Sequence, residues 1–252
     1  MDKDFGIILQ VRLGSTRLPN KMLLPFYNEK SLLQIIVENL ISIFPKENLI
    51  IATTNNPIDD KLVESLGDYE LNIFRGDENN VLKRFIDAAA HYQLKSLMRI
   101  CGDNPFLLNK YLLKLLDVGL NSNADYLAYF YQDGLPSIKS HNGFFAEWVK
   151  VEALKKVVKL TEDKLYLEHV TNYIYAHPET FKVDKINIPK EDFCRKIRLT
   201  IDTKTDLETS IFVYDTLKKN GKSITLKNIE ELLGQYPELL LEMSKIIKEQ
   251  KK

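Results

Sequence analysis

The chain has 252 residues, of which 44% are hydrophobic and 28% charged, the balance of a water-soluble globular protein with a substantial core. Its 35 Lys+Arg equal its 35 Asp+Glu, so no overall field draws it to nucleic acid or an anionic membrane, and any anion site must be a local cluster. The start, MDKDFGIILQVRLG, lacks the basic and long apolar stretches of a signal peptide, and no run approaches the ~20 apolar residues of a membrane span.

The apolar run from Phe5 to Val11 predicts a buried first strand. It leads into QVRLGSTRLPNKML, Gln10 to Leu23, where Arg12, Arg17 and Lys21 surround Gly14, Ser15 and Thr16, and Pro19 keeps the segment out of regular helix. Guanidinium forks and an ammonium pair with phosphate oxygens, while glycine lets backbone amides approach. Charge alone leaves a solvated basic loop as an equal reading.

Ser31 is placed to cap a helix with apolar Leu32, Leu33, Ile35, Ile36, Leu40 and Ile41. Asn48 to Thr53 predicts a second strand, Asp59 to Leu66 a helix closed by Gly67, Leu71 to Phe74 a short strand and Glu78 to Tyr92 a helix. Ser96 to Cys101 is the next strand; Gly102-Asp103-Asn104-Pro105 turns the chain, and Asn109 is placed to cap a helix to Leu120. Strands alternating with helices imply crossover connections and a mainly parallel sheet covered on both faces.

From Ala124 the pattern loosens. Asp125 to Tyr131 and Gly143 to Val149 read as strands, with a turn at Asp133-Gly134. Leu165 to Ala176 reads as one helix carrying Glu168 and His169; Phe181 to Ile188 and Ile197 to Ile201 read as strands. A helix from Thr205 to Lys219 ends at Asn220-Gly221, and two amphipathic helices follow, split near Pro237. The expectation is one α/β domain over 1–252, with its core in 5–214, a less regular insertion in the second half and C-terminal helices in 226–249. Cys101 and Cys194 fit no metal-finger spacing and are expected as reduced thiols of a cytoplasmic protein.

In an open parallel sheet, ligands bind beyond the carboxyl ends of the strands. The basic loop, Asp103 after the Ser96–Cys101 strand and Asp202 after the Ile197–Ile201 strand all fall there. Two carboxylates facing a polycationic loop point to Mg²⁺ bridging the protein to phosphates. Each has a plain competitor. Asp103 can serve an Asx-type turn before Pro105, and Asp202 or Asp206 can cap the following helix. Dinucleotide, P-loop, nucleophile-elbow and zinc-protease motifs are absent.

These residues resemble a known family. QVRLGSTRLPNKML is similar to the A-R-x-G-S-x-R-L-P-x-K-x-L signature of the CMP-sugar synthetase, or acylneuraminate cytidylyltransferase, superfamily, in the branch named for spore-coat polysaccharide biosynthesis. IIATTNNPIDD, FRGDENNVLKRF, MRICGDNPFL, GFFAEWVKVEAL, LEHVTNYIY and IRLTIDTKTDLE resemble segments of that branch in the same order. The resemblance implies a three-layer nucleotide-diphospho-sugar transferase fold, Rossmann-like. It implies transfer of CMP from CTP to an acidic 2-keto sugar, with pyrophosphate released. A glycosyltransferase of the same fold, using a nucleotide-sugar donor, is the alternative.

By the same resemblance Arg12, Gly14, Ser15, Arg17 and Lys21 bind phosphates, with Arg75 a further contributor. Arg12, Lys21 and Asp103 carry catalysis, and Asp103 and Asp202 hold Mg²⁺. Glu147, Glu168 and His169 face a small acidic sugar, and the protein is a homodimer. The chain departs from the family pattern at Val11, Asn20, Phe145 in place of Asp, Leu167 in place of Arg and Asn172 in place of Pro. The nucleotide end is kept and the sugar end is altered.

Overall fold

The computed structural model describes residues 4–188 and 195–249. Cys194 lies outside them. Strand β1 is Phe5–Gln10, and its alternation sends Ile7 and Leu9 to one face of a sheet and Ile8 to the other. A hairpin of β2 (Pro25–Tyr27) and β3 (Lys30–Ser31) follows. Asn28 and Glu29 at its tip both have positive φ, 46° and 62°, which suits a tight two-residue reversal. Ser31 then caps α1 (Leu32–Ile41) through a capping box with Gln34.

The remaining elements are β4 (Leu49–Thr54), α2 (Asp60–Glu64), β5 (Asn72–Gly76), α3 (Val81–His91), β6 (Ser96–Cys101), α4 (Asn109–Asn121), β7 (Tyr126–Phe130), β8 (Glu147–Lys150) and α5 (Val151–Leu160). They are followed by α6 (Lys164–Glu168), α7 (Asn172–Ala176), β9 (Val183–Asn187), α8 (Lys204–Lys219), α9 (Leu226–Leu233) and α10 (Pro237–Glu249). Seven strands form one sheet in the order β5-β4-β1-β6-β8-β7-β9. β1 runs parallel to β4 and β6, with Ile8 opposite Ile50 and Arg99, and β4 runs parallel to β5. Only β8 is antiparallel to its neighbours, pairing Trp148 with Met98 and Leu127. The sheet is mainly parallel with apolar cores on both faces, which is the expected α/β class. One core packs Leu9, Ile100 and Leu127 against α1, α4 and α8; the other packs Ile8, Leu97 and Val149 against α3 and α5. Among the described residues no helix is long and apolar enough to cross a membrane.

Several expected elements differ. Ile197–Ile201 is buried but is not a strand. The amides of Leu199 and Thr200 both donate to His141 O, and Ile201 N donates to Asp103 O at 2.8 Å, so irregular loops take the place of a ladder. The expected helix over 165–176 breaks at His169–Thr171, where Val170 is buried and the Thr171 hydroxyl reaches back to Glu147. Only the end of the Gly143–Val149 segment joins the sheet, because Gly143 takes φ +71° close against Asn104. Asn109 is the first helical residue of α4 rather than its cap, which is Leu108. Thr203, not Asp202, caps α8.

Candidate active site

The basic loop leaves the carboxyl end of β1 and is pinned from beneath. Val11, Leu13 and Met22 are buried in the core, so the polar residues between them turn outward. A buried carboxylate that the sequence reading did not single out locks the loop to β4. Asp59 accepts from Leu13 N at 2.7 Å, Thr53 Oγ1 at 3.0 Å, Thr54 N at 3.2 Å and the Thr54 hydroxyl. The signal was present as two threonines ending a strand with an aspartate five residues on, which is a local side-chain-to-backbone pattern.

The loop cations reach toward one another's neighbours across the strand ends. Arg17 NH2 lies 2.9 Å from Asp202 Oδ1, and Lys21 Nζ donates to Ile201 O at 2.7 Å. Arg12 NH1 donates to Glu78 O at 3.4 Å, and its NH2 lies 3.9 Å from Glu168. Behind Arg12, Arg84 is wholly buried with only NH1 bonded, to Asp77 O at 2.8 Å. Burial foremost, then the like charge of Arg12, lowers its pKa to about 10. Arg75 stands apart, two strands from β1. Its Nε donates to Thr54 O and NH2 to Asn56 O, both at 2.8 Å, and NH1 pairs with Asp60, so its fork braces the 54–60 loop.

The acidic side is built by backbone contact. Gly102 N donates to Gln10 O at 3.0 Å, drawing the end of β6 against the end of β1. A Cβ on Gly102 would lie 2.5 Å from Val11 Cγ1 and 2.9 Å from Gln10 O, so only glycine permits this approach. Asp103 follows at once, half-buried, and its carboxylate makes no hydrogen bond or ion pair with another described residue. It lines a small polar cavity of about 40 Å³ with Asn104, Ser137, Ser140, Asn142 and Phe145. The bond from Ile201 N to Asp103 O brings Asp202 to the same place.

Asp202 is buried, and its Oδ2 accepts from Arg198 NH2 at 3.2 Å. Arg198, also missed from sequence, grips Asp206 through Nε at 2.6 Å and NH2 at 2.8 Å. Burial works to raise the Asp206 pKa, but Arg198 and the Asp202 amide outweigh it and hold the carboxyl below its usual range. Two carboxylates offer hard oxygen donors of the kind that can hold a divalent cation together with phosphate oxygens: Asp103 makes no bond with another described residue, and Asp202 is shared between Arg198 and Arg17. No group of three or more His, Cys, Asp or Glu gathers for a metal among the described residues.

The three residues expected at the sugar end separate. Glu147 is not exposed there: it sits in the core, taking Arg99 NH1 on Oε2 and the hydroxyls of Tyr126 and Thr171 on Oε1, at 2.5, 2.5 and 2.8 Å. Burial foremost, then the Glu147 charge, pushes the Tyr126 phenol far above its ordinary value, so it stays a donor. Glu168 and His169 are exposed at the end of α6, and Glu168 lies within reach of Arg12. Phe145 joins an aromatic cluster with Tyr111 and Tyr129, at centroid distances of 4.8 and 5.1 Å. Leu167 packs on the second core.

The chain is similar to known proteins along almost its whole length. The chain fits the family described as Cytidylyltransferase over residues 6–251. It is 32% identical over 247 residues to the spore coat polysaccharide biosynthesis protein SpsF of Bacillus subtilis, covering 95% of this chain and 98% of that one. It superposes on a cytidylyltransferase from Leptospira borgpetersenii with a TM-score of 0.81 and 28% identity, covering 94% and 97% of the two chains. A CMP:2-keto-3-deoxy-manno-octonic acid synthetase complexed with CTP shares the fold, at a TM-score of 0.64 and 12% identity, covering 85% and 99%.

Proposed function

This chain belongs to the cytidylyltransferase family, and from that premise we propose that it transfers CMP from CTP to a hydroxyl of an acidic 2-keto sugar for surface polysaccharide assembly. The observation that carries the reading is the cationic loop of β1 meeting Asp103 and Asp202 through two backbone bonds, Gly102 N to Gln10 O and Ile201 N to Asp103 O.

In the proposed reaction the sugar oxygen attacks the α-phosphorus, forming one P–O bond. The bond from that phosphorus to the bridging oxygen breaks, and pyrophosphate leaves with its electron pair; the hydroxyl proton is released. Arg12, Arg17 and Lys21 bind the triphosphate and disperse its growing charge, while the backbone at Gly14 and Ser15 allows close approach. Asp103 and Asp202 would hold Mg²⁺, which when bound shields the phosphate charge. Glu168 and His169, exposed beside Arg12, would meet the acceptor. Asp59 keeps the loop in place, so orientation precedes binding. A homodimer working in the cytoplasm is part of the same proposal.

The test is pyrophosphate release from CTP and Mg²⁺ with a panel of 2-keto sugar acids. Release with one of them, lost in Asp103→Asn with an unchanged melting temperature, is the expected result. No release with any acceptor, or tighter binding of a UDP- or GDP-sugar than of CTP, overturns the reading in favour of a glycosyltransferase. A two-copy mass in solution would support the dimer.

A further inference from the structure

We propose that the cavity between the starts of α4 and α9 is a second binding site, built for a phosphate monoester with an apolar body. It shares no lining residue with the basic loop, Asp103 or Asp202. The proposal therefore goes beyond the reading above and stands whether or not CTP is the substrate.

The cavity holds about 550 Å³, within the range of about 300–1,000 Å³ that small-molecule sites occupy. Leu107, Leu108, Ile224 and Leu226 give it an apolar wall, together with Tyr214. Tyr214 is 9% exposed, and edge-to-face contacts with Phe26, Tyr27 and Phe106 fix its ring, at centroid distances of 5.3, 5.3 and 5.9 Å. Burial foremost, then the neighbouring Tyr27 and Glu38, pushes its pKa up to about 12, so the phenol keeps its proton. That phenol makes no hydrogen bond with another described residue. Buried phenols usually have a partner, and a ligand oxygen in the cavity would supply one. By contrast, Asn39 Nδ2 already donates to Leu107 O at 3.3 Å and the Ser42 hydroxyl to Asn39 O at 2.7 Å.

The charge around this cavity has one sign. Lys110, Lys218 and Lys227 line it, and among the described residues no carboxylate does. The ammonium groups of Lys110 and Lys218 lie over the rings of Tyr111 and Tyr214, at 4.6 and 5.4 Å, and Lys227 meets Glu231 at 3.9 Å in an exposed pair. Two helices also begin here. Asn109 and Lys110 open α4, which has 13 residues and no side-chain cap. Leu226 and Lys227 open α9, which has 8 residues, and its cap Thr225 serves Asn228 N at 3.3 Å. The first amides of a helix have no acceptor within it and carry its positive end. Two such starts with three ammonium groups suit the double charge of a phosphate monoester better than the single charge of a carboxylate.

The test is a titration of ¹⁵N-labelled full-length protein with phenyl phosphate, read as amide shifts by nuclear magnetic resonance. Inorganic phosphate, benzyl alcohol and benzoate are the comparisons. Shifts are expected at Asn109, Lys110, Leu226 and Lys227. Inorganic phosphate and benzyl alcohol should each bind about tenfold more weakly, since each lacks one half of the contact. Lys110 and Lys227 are exposed, so the double variant Lys110→Gln, Lys227→Gln is expected to keep its melting temperature while losing roughly fivefold in affinity. Shifts confined to the basic loop, Arg12 to Lys21, overturn the proposal. So does equal binding of benzyl alcohol, or an unchanged affinity in the double variant. Benzoate binding as tightly as phenyl phosphate overturns the assignment of a doubly charged head.

Discussion

Arg17 NH2 and Asp202 Oδ1 lie 2.9 Å apart, joining the basic loop after β1 to the segment that enters α8. The pair sets a cation proposed for the triphosphate against a carboxylate proposed for the metal, so both ligands must separate it. Arg17→Ala is expected to tighten Mn²⁺ binding without nucleotide by roughly two- to fivefold, the scale of a half-exposed pair. The same variant should weaken CTP by roughly tenfold through loss of a charge-assisted contact. Calorimetry with each ligand alone checks both directions, and weaker Mn²⁺ binding would contradict the competition.

Asp59 holds four donors at once beneath the basic loop. Asp59→Ala strands buried amides and hydroxyls and is expected to cost about 3 kcal/mol in urea unfolding. With the loop released, the KM for CTP should rise more than kcat falls. A loss of stability with KM unchanged would show that the loop is held by other means.

Gly102→Ala places a methyl group against Val11 Cγ1 and the Gln10 carbonyl. Overpacking of this kind costs about 1–3 kcal/mol. Since the strain falls one residue before Asp103, turnover should drop by roughly 100-fold, as expected for a misplaced reacting group. A melting curve and an initial-rate assay on the same sample suffice.

Asp206 sets an acid limit on stability. Its folded pKa is depressed, so below the ordinary carboxylate range of about 4 the unfolded chain takes up a proton that the folded protein resists. The stabilisation is complete above that range and is lost as pH falls through the depressed folded value. Asp206→Asn removes the partner of a buried guanidinium and is expected to cost about 3 kcal/mol at pH 7. Its stability should then change less steeply with acid than the parent's. Denaturant midpoints measured from pH 7 to pH 3 test the slope.

Particular residues show where sequence reading succeeds and stops. β6 and α1 were legible because their signals are local: a short apolar run bounded by turn residues, and a capping serine ahead of a helical stripe. The Ile197–Ile201 segment has the same apolar run as a strand. Its amides, however, bond to the carbonyls of His141 and Asp103, partners far away in the chain. The break within 165–176 has a similar origin in the Thr171 hydroxyl reaching Glu147. Glu147, expected at the sugar end, is buried instead, and its pairing with Arg99 and two hydroxyls explains how a carboxylate can lie in the core.

By itself the sequence determined the α/β class, the family and the residues gathered in the basic loop, because periodicity, capping and short motifs are properties of neighbours along the chain. The tertiary structure alone decided that Arg75 braces a loop, that Asp59 holds the basic segment from below and that Arg198 stands behind Asp202. Those assignments depend on which buried donor meets which acceptor once the sheet has closed. A buried polar group must find its partner in space, wherever that partner lies in sequence.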